Sequence, residues 1–101
     1  MRILKNIELI KFPELDEIDA GILENNLSRF LDRLQLGDND VLSLSYKEYS
    51  KGGLRKQHEI KAKLVFSGKT FSASETDWKF LETIQTVLKK IEKEVLKSTS
   101  K

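Results

Sequence analysis

The side chains in this chain that could do chemistry fall into a small acid–base set and a larger cationic set. The only histidine, His58, follows the Gly52-Gly53 pair and the cations Arg55 and Lys56. Acid–base or nucleophilic catalysis needs a partner acid or nucleophile within hydrogen-bond reach, and no such spacing can be built around His58. It reads as a surface histidine beside a hairpin. Asp38-Asn39-Asp40 after Gly37 offers oxygen ligands without the spaced donors and closing Glu of a calcium loop, and these residue types are what a helix-to-strand turn asks for. The carboxylates Glu14, Asp16, Glu17 and Asp19 cluster where a helix begins, which the helix dipole already explains. Gly52-Gly53 has neither the following helix nor the Lys-Ser/Thr ending of a phosphate-cradling loop. With no cysteine, thiol nucleophiles, disulfides and zinc-thiolate sites are excluded. The expectation is a non-enzymatic chain with no cofactor, no metal and no small-molecule substrate.

The cations are more informative. Residues 43 to 71 hold seven Lys/Arg against Glu48 and Glu59, whereas residues 1 to 42 hold five against nine acids. A basic central block makes a local field that the whole-chain charge of +2 hides. Alternation places Lys47, Arg55, Lys61 and Lys63 on a solvent face or its rim, with Lys51 and Lys56 at the connecting loop. Lys90, Lys93 and Lys97 recur at three- and four-residue steps and so share one helical stripe. Solvation and the helix dipole account for such lysines without a ligand. A basic stripe beside a basic hairpin is also the shape of a polyanion footprint. Tyr49 alone gives no paired aromatic platform for stacking bases, so contacts to phosphates are expected over base reading.

The elements that must position these groups follow from periodicity. Residues 2 to 12 form a first strand with imperfect alternation, stopped by Pro13. Ile18, Ile22, Leu23, Leu27, Phe30, Leu31 and Leu34 form one helical stripe, with Gly37 placed to end the helix and Gly21 arguing for a late start. Leu42, Leu44 and Tyr46 alternate inward in a second strand; Ile60, Ala62, Leu64 and Phe66 do so in a third. Ser67-Gly68 turns the chain into a fourth strand around Phe71 and Ala73. Trp78, Leu81, Ile84, Leu88, Ile91 and Val95 mark a closing helix, capped by Ser74 or Thr76. The order is β-α-β-β-β-α. The expected fold is α+β: a four-stranded mixed sheet with two helices packed on one face and the other face wet. The 101 residues suit one domain over 1–97 with a frayed tail at 98–101. The longest apolar run is Leu64-Val65-Phe66, so neither a membrane span nor a signal-peptide core is expected.

Two stretches carry a family resemblance. His58-Glu59-Ile60-Lys61-Ala62-Lys63-Leu64 with Gly68-Lys69-Thr70-Phe71-Ser72-Ala73, and Lys90-Ile91-Glu92-Lys93-Glu94-Val95-Leu96-Lys97, resemble the central strands and the helix ending of the ribosome hibernation-promoting factor family, also called ribosome-associated inhibitor A or protein Y. The resemblance implies a short, cytoplasmic family member. Such a protein lodges on the small ribosomal subunit near the decoding channel, meets ribosomal RNA and inhibits translation. It carries RNA contact over to Lys90, Lys93 and Lys97, and also to Lys61 and Lys63. The chain departs from the family at Asp77-Trp78-Lys79-Phe80, where the second helix usually opens differently, and in a first helix poor in lysine. Two alternatives accompany this reading: a protein-interaction or dimerising module with no nucleic-acid role, and a double-stranded-RNA-binding domain.

Overall fold

A computed structural model describes residues 5–50, 52–53 and 55–99. Its elements run β1 (Ile7–Ile10), α1 (Glu17–Leu34), β2 (Val41–Ser50), β3 (Lys56–Phe66), β4 (Lys69–Asp77) and α2 (Phe80–Thr99). The sheet order is β1-β2-β3-β4, with β1 parallel to β2 and the other two pairs antiparallel. The parallel pair is the one whose connection holds a helix, because a parallel return needs a crossover longer than a hairpin. The fold is therefore the α+β sheet with two helices that periodicity predicts.

Period-two patterning decides which side of the sheet is dry. Leu42, Leu44 and Tyr46 of β2 and Ile60, Ala62 and Leu64 of β3 are buried, and they meet Leu23, Leu27 and Phe30 of α1 and Ile84, Val87, Ile91 and Val95 of α2 in one core. Both helices cover this face. The intervening side chains, among them Lys61 and Lys63, point to the uncovered face.

Several boundaries differ from the sequence reading. β1 is only four residues long; positions 2–4 of the expected strand lie outside the described residues, as does Lys51 of the hairpin loop. Despite Gly21, α1 starts at Glu17, because Asp16 caps it: its carboxylate accepts from Asp19 N–H at 2.8 Å. Such a cap contributes about 1 kcal/mol, offsetting a similar cost for glycine. The helix ends at Gln35, in the left-handed conformation with its N–H on Leu31 O, rather than at Gly37. Stopping there lets Leu36 turn back onto the core. Ile18 is 75% exposed and Ile22 38%, so neither belongs to the inward stripe, which is Ala20, Leu23, Leu27 and Phe30. Ser74 and Thr76 are strand residues, not caps: β4 continues to Asp77, and the helix begins at Phe80, two residues after the Trp78 that spacing alone would make its start. At the other end α2 continues through Thr99, into the stretch expected to fray, and Lys69 Nζ donates to Ser98 Oγ at 3.1 Å. Ser100 and Lys101 lie outside the described residues.

Asp38-Asn39-Asp40 is a structural turn. Asp40 accepts from Gly37 N–H at 2.7 Å through one carboxylate oxygen and from Ser67 N–H at 3.1 Å through the other, tying the α1–β2 turn to the β3–β4 turn. Asn6 Nδ2 adds bonds to the Gly37 and Asp40 carbonyls, and Lys5 holds the Asp38 carboxyl below its ordinary range through a 2.9 Å pair. Charge-assisted bonds to backbone N–H groups at a partly wet site contribute about 1–2 kcal/mol together. Asp40→Ala is therefore expected to lower the urea midpoint at constant m-value; an unchanged midpoint would mean that water replaces both bonds without loss.

Candidate nucleic-acid interface

The uncovered sheet face is built from two cross-strand rows. Ser45, Lys61 and Ser74 are partners across β2, β3 and β4, and so are Ser43, Lys63 and Ser72. β1 extends the rows with Ile10 beside Ser45 and Glu8 beside Ser43. Because serines flank both lysines, the face sinks into an open concavity of about 650 Å³ around them. Lys61 and Lys63 enter no ion pair among the described residues. Two carboxylates share this face: Glu8, two strands from Lys63 in its row, accepts from Ser43 Oγ at 3.2 Å, and Glu59, two residues from Lys61 along β3, accepts from Tyr49 Oη at 3.0 Å. Two free ammonium groups in a shallow trough of hydroxyls can hold phosphate oxygens: the lysines supply charge, and the small serines let a backbone approach and donate hydrogen bonds.

The rest of the expected hairpin patch is interleaved with acids. Lys56 lies 3.5 Å from Glu48, Lys47 sits over the Tyr49 ring at 5.1 Å, and Tyr49 donates to Glu59 at 3.0 Å. Arg55 lies over the Trp78 ring, 4.2 Å from its centroid. Below them Tyr46 Oη is 2.6 Å from His58 Nδ1 and 3.2 Å from Glu48 Oε2. A phenol has one proton and a carboxylate only accepts, so both contacts are made together when Nδ1 of His58 carries hydrogen and donates to the phenol. Burial, and then the Glu48 charge, push the Tyr46 phenol up to about 12. His58 thus orients a tyrosine at the edge of an aromatic cluster that includes Phe12 and Phe80.

The α2 lysines do not join Lys61 and Lys63 on one flank. They stand on the helix layer, across the sheet from the serine trough. Lys90 is also committed: its Nζ bonds Glu75 at 2.5 Å and the Ser74 carbonyl at 3.0 Å, which fastens α2 to the edge strand. Lys93 and Lys97 are exposed. Sequence reasoning missed a further group on this layer. Arg29 and Arg33 of α1 and Lys89 of α2 line a groove of about 250 Å³ between the helices, together with Asn26, whose buried Nδ2 has no hydrogen-bond partner among the described residues. Arg33 is paired there with Glu92 at 2.9 Å. The four-residue step from Arg29 to Arg33 was the available signal, but which helix faced it was not. Trp78 was missed as well, because its spacing fits the α2 stripe; it is 41% exposed and lies outside the helix.

No protein-family model matches this chain, and no curated protein matches its sequence. Among solved structures it is similar to the N-terminal domain of Protein Y from Thermus thermophilus, at 16% identity over 91% of this chain and 94% of that one, with a TM-score of 0.60. It is also similar to a ribosomal subunit interface protein from Coxiella burnetii, at 15% identity over 94% and 98% of the two chains, with a TM-score of 0.67. At these identities the likeness is one of fold, and it extends over nearly the whole chain.

Proposed function

We propose that this chain is a hibernation-type factor that binds ribosomal RNA of the small subunit near the decoding channel and inhibits translation, acting in the cytoplasm without catalysis. The observation that carries the reading is the pair Lys61 and Lys63, in no ion pair among the described residues, in a trough of serines on the one sheet face the helices leave open. The fold likeness to a ribosomal subunit interface protein supports a ribosomal partner. The exposed Lys93 and Lys97 offer a second, separate cationic surface on the helix layer. Lys56 contributes less field, being matched to the Glu48 carboxylate, whereas Lys47 and Arg55 lie over rings that leave their charge in place. No described helix is long and apolar enough to cross a membrane.

Cation–phosphate binding releases counterions, so association must weaken steeply with salt. Sedimented through sucrose with purified subunits, the protein is expected to travel with the small subunit at low salt and to leave it as salt rises. Migration at the top of the gradient at every salt concentration, or equal binding to both subunits, would refute the proposal.

A further inference from the structure

We infer that Trp78, with Arg55 laid over it, is a stacking seat for a base of single-stranded RNA, an inference that rests on the RNA reading above. The sequence places this ring in the helical core stripe, and the structure removes it. β4 keeps pairing with β3 as far as His58 and Asp77, and α2 starts only at Phe80, so Trp78 falls in the junction and stays 41% exposed. Large exposed aromatic rings are costly to leave in water unless something covers them.

The junction is held on both sides. The Trp78 N–H donates to its neighbour's carboxylate, Asp77 Oδ1, at 2.6 Å. Phe80 is packed edge-on against Tyr46 and Phe12, with centroids 5.4 and 5.8 Å away. The indole is therefore carried on a short segment between two anchored elements rather than on a loose loop.

Arg55 gives the ring its selectivity. Its guanidinium lies 4.2 Å from the ring centroid and makes no ion pair among the described residues. A guanidinium stacked on one face keeps its rim N–H donors available for a phosphate, while a base, which has a π face whatever its identity, can stack on the indole. An uncharged lipid or an apolar peptide would use the ring and gain nothing from the guanidinium. A base-free polyanion would use the guanidinium and gain nothing from the ring. A nucleotide uses both. From Arg55 to Lys61 is six residues of β3, about 20 Å along the strand, so one extended RNA segment can occupy the seat and the serine trough together.

Trp78 is the only tryptophan, so emission excited beyond the absorption of Tyr46 and Tyr49 reports this seat alone. The experiment titrates the protein with a short oligoadenylate and, separately, with inorganic polyphosphate, following tryptophan emission and, for the RNA, the anisotropy of an end-labelled oligonucleotide. Saturable quenching is expected with oligoadenylate and none with polyphosphate. W78A is expected to weaken oligoadenylate binding by roughly five- to a hundredfold, the range for losing one stacked base, with W78F retaining much of the affinity. Oligoadenylate binding with unchanged emission, or W78A and wild type binding alike, would overturn the stacking seat while leaving the ribosomal reading to its own sedimentation test. Equal quenching by polyphosphate would overturn it too, by showing that charge alone moves the ring.

Discussion

Replacing Lys61 and Lys63 together with glutamine is expected to weaken small-subunit association about sixtyfold at 0.1 M salt. Each cation that neutralises a phosphate contributes a slope of about −0.9 to the plot of log K against log salt, so removing two flattens it by about 1.8. Both side chains are exposed and enter no ion pair among the described residues, so their loss leaves nothing buried unsatisfied. Circular dichroism and thermal midpoint should match the parent. The comparison with Lys90→Gln sharpens the test. Lys90 is bound to Glu75 and to the Ser74 carbonyl, so its substitution should change the salt slope little and act instead on the attachment of α2 to β4. A parent-like slope in the Lys61/Lys63 variant would place the RNA contact elsewhere, with the exposed lysines of α2 as the next candidates.

The second large effect is on stability. Phe30 is fully buried where α1 meets the sheet and α2, in the same core as Leu42, Ile60 and Ile91. Phe30→Ala removes most of an aromatic side chain from a site walled by strands and a second helix, which cannot collapse into the space. Losses of about 3–5 kcal/mol follow from such truncations. For a domain of this size that is a large share of a total near 5–15 kcal/mol, and each kcal/mol lowers the midpoint by about 4–8 °C. Urea unfolding followed by circular dichroism measures it, with Phe30→Leu as the volume-sparing comparison. A loss under about 1 kcal/mol would mean that α1 is not packed on this core.

How much of this was legible beforehand depended on the range of the interaction. The inward set Leu42, Leu44, Tyr46, Ile60, Ala62, Leu64 and Phe66 follows from alternation; all are buried except Phe66, which is half-buried against the core. The same alternation put Lys61 and Lys63 outside. Ser67 and Gly68, both with positive φ, make the two-residue hairpin turn that their residue types announce. Trp78 shows where periodicity misleads. It stands three residues before Leu81, a good helical step, but the backbone at that point is finishing a strand whose length is set by pairing with β3. Lys90 misled in another way: its stripe is real, yet its charge is taken by Glu75, and which turn of α2 seats over Glu75 no local pattern specifies.

Local spacing in this sequence was sufficient for the order of elements, the hairpin turns and the dry and wet faces of each strand, because those depend on backbone periods of 2.0 and 3.6 residues that any short window contains. Tertiary structure alone decided four things: that β1 pairs parallel to β2, that the α2 lysines and Lys61/Lys63 occupy different layers, that Arg29, Arg33 and Lys89 meet between the helices, and that Arg55 covers Trp78. Each concerns residues far apart in the chain, and their distance is set by how the helices seat on the sheet, a property of the whole packed core that no single segment carries.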